Sequence, residues 1–288
     1  MTNLLLLLTV TFWGLSFVGT KIALDYLTPP EIIALRLLLG FPVLYLVMRR
    51  KGLKISFDGR QGLIIIAASL LLGVHFVIQA IGLIYTSATN TAWLIATIPV
   101  FIAILSFFFL KERLTWKRIT GILTATLGVL LLVSDGHLNN LDWLESVGDW
   151  IILGSCITWS AYTILTRNIS RVINPLSLSV SILLIPMLLL TLYLIAFTPF
   201  EKLTGLPVSV ILVLIFLGVF CLGIAHWFWL EGLSRKGATE VGVFLYIEPV
   251  VTTVAAGSIL GEKISIFLAL GAALIVFGVY LVQRKKRP

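Results

Sequence analysis

A few side chains could do chemistry inside an otherwise apolar chain. Glu248 is an acid deep within an apolar run, and Arg36 is a base about a turn and a half inside another. His75 and His226 are imidazoles in two further runs, with Gln79 at i+4 from the first and Trp229 at i+3 from the second. Thr9, Trp13, Ser16 and Thr20 are spaced 4, 3 and 4 apart, so they share one helix face. Ser155, Trp159, Tyr162 and Thr166 form a second such face. Asn90, Trp93 and Thr97 line up ahead of Pro99, and Phe244, Glu248 and Thr252 line up around Pro249. Sparse polar groups among aromatic rings suit a binding site for a small molecule. H-E-x-x-H, G-x-S-x-G and paired carboxylates within one helix are missing from the sequence, so no enzyme is expected. Cys156 and Cys221 lie in apolar runs and make neither a disulfide framework nor a metal spacing, so no cofactor or metal is expected.

Each of these residues also has a plainer reading. Ser, Thr and His commonly bond across packed helices. Arg36 can snorkel to the interface or bond carbonyls, or it can hold an anionic group or Glu248. Glu248 is either a structural carboxyl or a contact for a substrate amine or a proton. The two prolines each remove a backbone donor, which a membrane tolerates where protein or water replaces it. That places Pro99 and Pro249 beside a wet cavity.

The elements that must carry these residues follow from composition. Mean hydropathy is +1.09 and only 12% of residues are charged, about half the share usual in soluble domains. Ten apolar runs fall at about 3–24, 30–48, 60–83, 88–110, 116–133, 147–167, 175–198, 207–230, 238–260 and 264–283. Each is near the roughly 20 residues a helix needs to cross a bilayer. The predicted class is therefore an all-α membrane protein with ten transmembrane helices. Met1-Thr2-Asn3 carries no Lys or Arg, which argues against a cleaved signal peptide.

Charge placement sets the expected orientation. With the N-terminus in the cytoplasm, 17 of the 21 Lys and Arg fall in cytoplasmic loops and the tail Arg284–Arg287. Outer loops hold Lys21, Lys202 and Lys263, with the acids Asp135, Asp142, Glu145 and Asp149 after the fifth run. This is the positive-inside pattern, with both termini cytoplasmic in a bacterial inner (plasma) membrane. The net charge of +8 is thus a topology signal. No basic patch is interleaved with aromatics, so nucleic acid is not an expected partner. The partners expected are lipid bilayer and a small-molecule substrate, with the chain a monomer or weak homodimer.

The sequence also repeats itself. A shift of 150 lays Ala88, Thr89, Pro99, Glu112, Gly121 and Gly128 on Ala238, Thr239, Pro249, Glu262, Gly271 and Gly278. A shift of 146 lays Thr9, Trp13, Ser16 and Thr20 on Ser155, Trp159, Tyr162 and Thr166, and Pro29 on Pro175. Two halves, 1–135 and 146–288, would each hold five helices. Five is odd, so the second half enters the membrane upside down, and an inverted repeat places a site at mid-depth between the halves. The fifth and tenth runs carry Gly121, Ala125, Gly128, Gly271 and Gly278 and read as close-packed supports. Glu112 and Glu262 read as loop-level ion pairs or caps.

Trp13-Gly14-Leu15-Ser16-Phe17, Pro30 with Arg36, Ala88-Thr89 through Pro99, and Glu112 followed by Gly121 and Gly128 carry a family resemblance. Ala238-Thr239, Glu248-Pro249, Gly261-Glu262, Gly271 and Gly278 repeat it. The chain resembles the drug/metabolite transporter superfamily, of the EamA-domain type, over nearly its whole length. The resemblance implies two inverted five-helix repeats around a central cavity lined by helices 1, 3, 4, 6, 8 and 9. It also implies export of amino acids, nucleobase-like metabolites or drugs by alternating access, and the chain is similar to aromatic amino-acid exporters. Two departures matter. No acid lies between Met1 and Asp25, where small multidrug relatives keep one for proton coupling, and His226-Trp227-Phe228-Trp229 is unusually aromatic. The expected substrate is an amino acid or similar amphipathic solute, with a nucleobase or cationic drug, or a non-transporting receptor, as rivals. Trp13, Trp93, Trp159, Tyr162 and Trp229 would give apolar surface. Ser16, His75, Gln79, Asn90, His226 and Glu248 would give polar contacts.

Overall fold

Nearly every apolar run becomes helix, because a backbone buried in lipid must bond to itself. A computed structural model describes residues 1–55, 57, 59–134, 146–263 and 267–283. Asp135, Asp142, Glu145 and Arg284–Arg287 lie outside the described residues. The helices are α1 Thr2–Leu24, α2 Pro29–Arg50, α3 Gly59–Gly82, α4 Ala88–Ile95, α5 Ile98–Phe109, α6 Trp116–Val133 and α7 Val147–Ile169. There follow α8 Pro175–Phe197, α9 Phe200–Thr204, α10 Val208–Ile215, α11 Ala225–Arg235, α12 Ala238–Gly242, α13 Glu248–Ile259 and α14 Leu268–Gln283. Among the described residues there is no strand. Among the described residues seven stretches are long and apolar enough to cross a membrane, and α14 is a shorter apolar helix.

Three runs that read as continuous are broken. The run at 88–110 divides into α4 and α5, with Pro99 at the second position of α5. The run at 238–260 divides into α12, a 3-10 turn Val243–Ile247, and α13, with Pro249 at the second position of α13. Proline has no N–H to close the preceding turn, so the helix restarts there. The run at 207–230 extends to Arg235 and is α10, a π-helical segment Phe216–Ile224, and α11. No proline causes this last change. Instead α2 lies against the widened turns so closely that a Cβ on Gly40 would overlap the Gly218 carbonyl.

Local signals fix the helix starts. Thr28 and Glu31 form a capping box on α2, and Glu31 also accepts from Lys202 Nζ at 2.6 Å. Ser146 and Asp149 do the same for α7.

The broken helices α4–α5 and α12–α13 run antiparallel. Ala88 N and Thr89 N each donate to the Glu262 carboxylate at 3.1 Å. Ala238 N and Thr239 N donate to Glu112 at 2.7 and 3.3 Å. Both glutamates are therefore caps, and each caps a helix belonging to the opposite half of the sequence. The small faces of α6 and α14 meet each other. A Cβ on Gly278 would sit 2.5 Å from Gly121 O and 2.7 Å from Ala125 N. In lipid such close packing, rather than loss of water, holds helices together.

Candidate functional site

The breaks in α4–α5 and α12–α13 face a buried cavity. Ile95 and Ile98 line it at the first break, and Leu245 and Glu248 line it at the second. From α1 come Trp13, Ser16 and Phe17, from α2 Arg36, from α3 His75, Phe76 and Gln79, and from α7 Trp159. Its room, counted over positions open to a water's centre, is about 30 Å³, enough for one or two water molecules.

A basic and an acidic side chain face this space without pairing with each other. Arg36 and Glu248 are 6% and 2% exposed. Among the described residues no ion pair joins them. Arg36 Nε and Glu248 Oε1 also lack a hydrogen-bond partner. The guanidinium lies 5.8 Å from the Phe76 ring centroid. Leaving a charge unpaired in a buried site costs several kcal/mol.

Aromatic rings form the wall. Trp13 and Trp159 meet edge to face at 4.9 Å, and His75 lies 5.0 Å from Trp159. Backbone carbonyls hold the wall in place. Trp13 Nε1 donates to Cys221 O, within the π-helical segment, at 2.8 Å. His75 Nδ1 lies 3.0 Å from both Ser155 O and Thr158 Oγ1. The α1 stripe thus does two jobs: Trp13 and Ser16 line the cavity, while Thr9 reaches Ala225 O at 3.3 Å as interhelical glue.

Tyr162, His226 and Trp229, expected at the site, are not among the residues lining this space. They form a second layer behind the wall, all completely buried. Tyr162 Oη and His226 Nε2 are 2.6 Å apart, and Trp229 packs 5.2 Å from Trp13 and 5.7 Å from Trp159. His226 Nδ1 and the indole N–H groups of Trp159 and Trp229 lack hydrogen-bond partners among the described residues. Asn90 and Trp93 are also outside the lining. Asn90 lies nearer one end of the broken helix and donates to Asp149 at 2.7 Å and Thr86 at 3.0 Å. Pro99 and Pro249 sit beside the cavity through their neighbours Ile98 and Glu248. Phe17, Phe76, Ile95, Ile98 and Leu245 line it although their residue types gave no sign of this. For Phe76 and Leu245 the signal was position, one turn before Gln79 and Glu248; Ile95 and Ile98 flank the break ahead of Pro99.

Comparisons with known proteins agree with this architecture. The sequence profile of the EamA-like transporter family matches residues 1–134 and 146–284. An uncharacterized transporter of Archaeoglobus fulgidus is 30% identical over 295 residues, covering 99% of this chain and 98% of its own. The probable amino-acid metabolite efflux pump of Escherichia coli is 28% identical over 297 residues, covering 97% and 93%. A crystal structure with 21% sequence identity superposes with a TM-score of 0.76 over 98% of this chain and 95% of that one. With matches over both halves of its length, this chain belongs to the EamA-like transporter family of membrane proteins.

Proposed function

We propose that the protein exports amino acids, or close zwitterionic relatives, across the bacterial inner membrane. One observation carries this reading: the cavity encloses Arg36 and Glu248 unpaired, behind a wall of Trp13 and Trp159. An α-carboxylate answers the guanidinium, an α-ammonium answers the carboxylate, and the side chain lies against indole faces. The Escherichia coli relative's name points to the same substrate class. A cationic drug would answer Glu248 and leave Arg36 bare, and a neutral nucleobase would answer neither charge.

The room of about 30 Å³ is too small for an amino acid, so the reading includes a widening of the cavity during transport. The reading includes ten spans in two inverted halves, 1–135 and 146–288, with both termini cytoplasmic. Support for it comes from the antiparallel broken helices and the distribution of Lys and Arg. Purified protein in proteoliposomes tests the function. Saturable amino-acid counterflow is expected, falling when the amine or carboxylate of the solute is blocked. Absence of saturable flux across the amino acids would overturn it.

A further inference from the structure

The two ends of the paired broken helices α4–α5 and α12–α13 are tied by the same construction. At one end Glu262 accepts from Ala88 N and Thr89 N, each at 3.1 Å. Beside this cap, Lys21 at the end of α1 donates to Leu83 O and Thr86 O, at 2.8 and 2.7 Å, in the turn that enters α4. At the other end Glu112 accepts from Ala238 N and Thr239 N. Arg167, at the end of α7, lies alongside with Nε 3.8 Å from Glu112 Oε1. The sets correspond in sequence: 150 residues separate the glutamates, and 146 separate Lys21 from Arg167. Ala88–Phe109 is 22 residues long, so the ends stand about 33 Å apart at 1.5 Å per residue. The cavity lies between them, at the helix breaks.

We propose that Glu112 and Glu262 are the gate residues of the transport cycle, each closing one mouth of the cavity and letting go in turn. This rests on reading the central cavity as the substrate site. With both caps made, the cavity's room of about 30 Å³ holds no amino acid, and widening it towards either end requires one half to part from the other there. At each end the carboxylate belongs to one half and the helix start to the other. Parting therefore breaks a cap rather than passing it by. Release at the ends is inexpensive, because freed N–H groups at a helix start find water there. Arg167 supplies a second observation. It is 3% exposed, and its Nε and Nη1 have no hydrogen-bond partner. At 3.8 Å it already forms a long ion pair with Glu112, one that can shorten to a hydrogen bond once α12 withdraws. Glu112 and Glu262 are positioning residues: they act through helix ends and do not touch the substrate.

The test is cavity labelling from each side of the membrane. Ser16→Cys places a thiol on the cavity wall, and the parent protein, whose Cys156 and Cys221 are both buried, gives the blank. A membrane-impermeant maleimide is applied to right-side-out and inside-out vesicles. Glu262→Ala should raise labelling of the Ser16→Cys protein roughly tenfold or more from one face only, since two hydrogen bonds are lost. Glu112→Ala should do so from the opposite face only. Arg167→Gln should lower labelling from the face that Glu112→Ala opens. If an alanine variant does not fold, the glutamine variant, which keeps one acceptor oxygen, replaces it with the same expected direction. Labelling from the same face in both variants, from both faces in either, or unchanged in both would overturn the proposal. The readout needs no substrate, so amino-acid flux can fail while the gates stand, and the gates can fail while flux persists.

Discussion

The charges in the cavity predict a group-by-group loss of affinity. In Glu248→Gln the side chain keeps its shape and loses its charge. If a substrate ammonium meets Glu248, the lost contact is one hydrogen bond to a charged group, worth about 1.5–3 kcal/mol. The upper end applies because Glu248 is 2% exposed and Oε1 has no other partner to fall back on. At about 1.4 kcal/mol per tenfold, affinity for a free amino acid should fall roughly tenfold to a hundredfold. The same substitution should barely change affinity for the N-acetyl form, which brings no ammonium. Arg36→Gln should show the mirror pattern: a like loss for the amino acid and little for its amide, which brings no carboxylate. Isothermal titration or ligand-induced thermal shift on purified protein reads all four combinations. Equal losses for the amino acid and its N-acetyl form in Glu248→Gln would refute the contact. Equal losses for the acid and amide in Arg36→Gln would refute the other.

Other substitutions test the surroundings of the site. Trp159→Ala removes a ring packed 4.9 Å from Trp13 and 5.0 Å from His75, and should weaken substrate binding far more than Trp116→Ala, whose ring is 81% exposed; equal effects in a binding assay would count against the wall. Tyr162→Phe leaves His226 Nε2 without its 2.6 Å partner and should cost about 1–3 kcal/mol of stability, read as a lower unfolding temperature in detergent. Gly278→Ala forces a methyl to within 2.5 Å of Gly121 O and should cost about 1–3 kcal/mol in the same assay. Gly154→Ala meets nothing within 4 Å and should be neutral or stabilising by up to about 1 kcal/mol.

The wall and its charges were legible in the sequence for different reasons. Glu248 and Arg36 stand out because a charge in an apolar run is costly and needs a reason. Trp13 and Trp159 stand out because equivalent faces of α1 and α7 repeat at 146 residues. Depth within the inward face was not legible. Helical periodicity places Tyr162, His226 and Trp229 inward, but an inward face includes both cavity wall and helix contact, and these three fall in the latter. Asn90 was opaque because its partner Asp149 is 59 residues away. Pro99 and Pro249 stood out as lost backbone donors beside a cavity, but the runs around them still read as continuous; the helices restart there. The widened turns at Phe216–Ile224 did not announce themselves, since they follow from how closely Gly40 meets Gly218, a contact between distant parts of the chain.

The exchange of carboxylates between halves bears on how the chain is made. Synthesis inserts Ala88 long before Glu262 exists, so the start of α4 waits through most of translation with only its local cap, Ser87. Ala238 meets a glutamate already in place when it emerges. The first half therefore leaves the ribosome incomplete, and the last loop before α14 finishes it. A chain truncated before Glu262 would carry every helix up to α13 and still lack the carboxylate that meets Ala88 and Thr89.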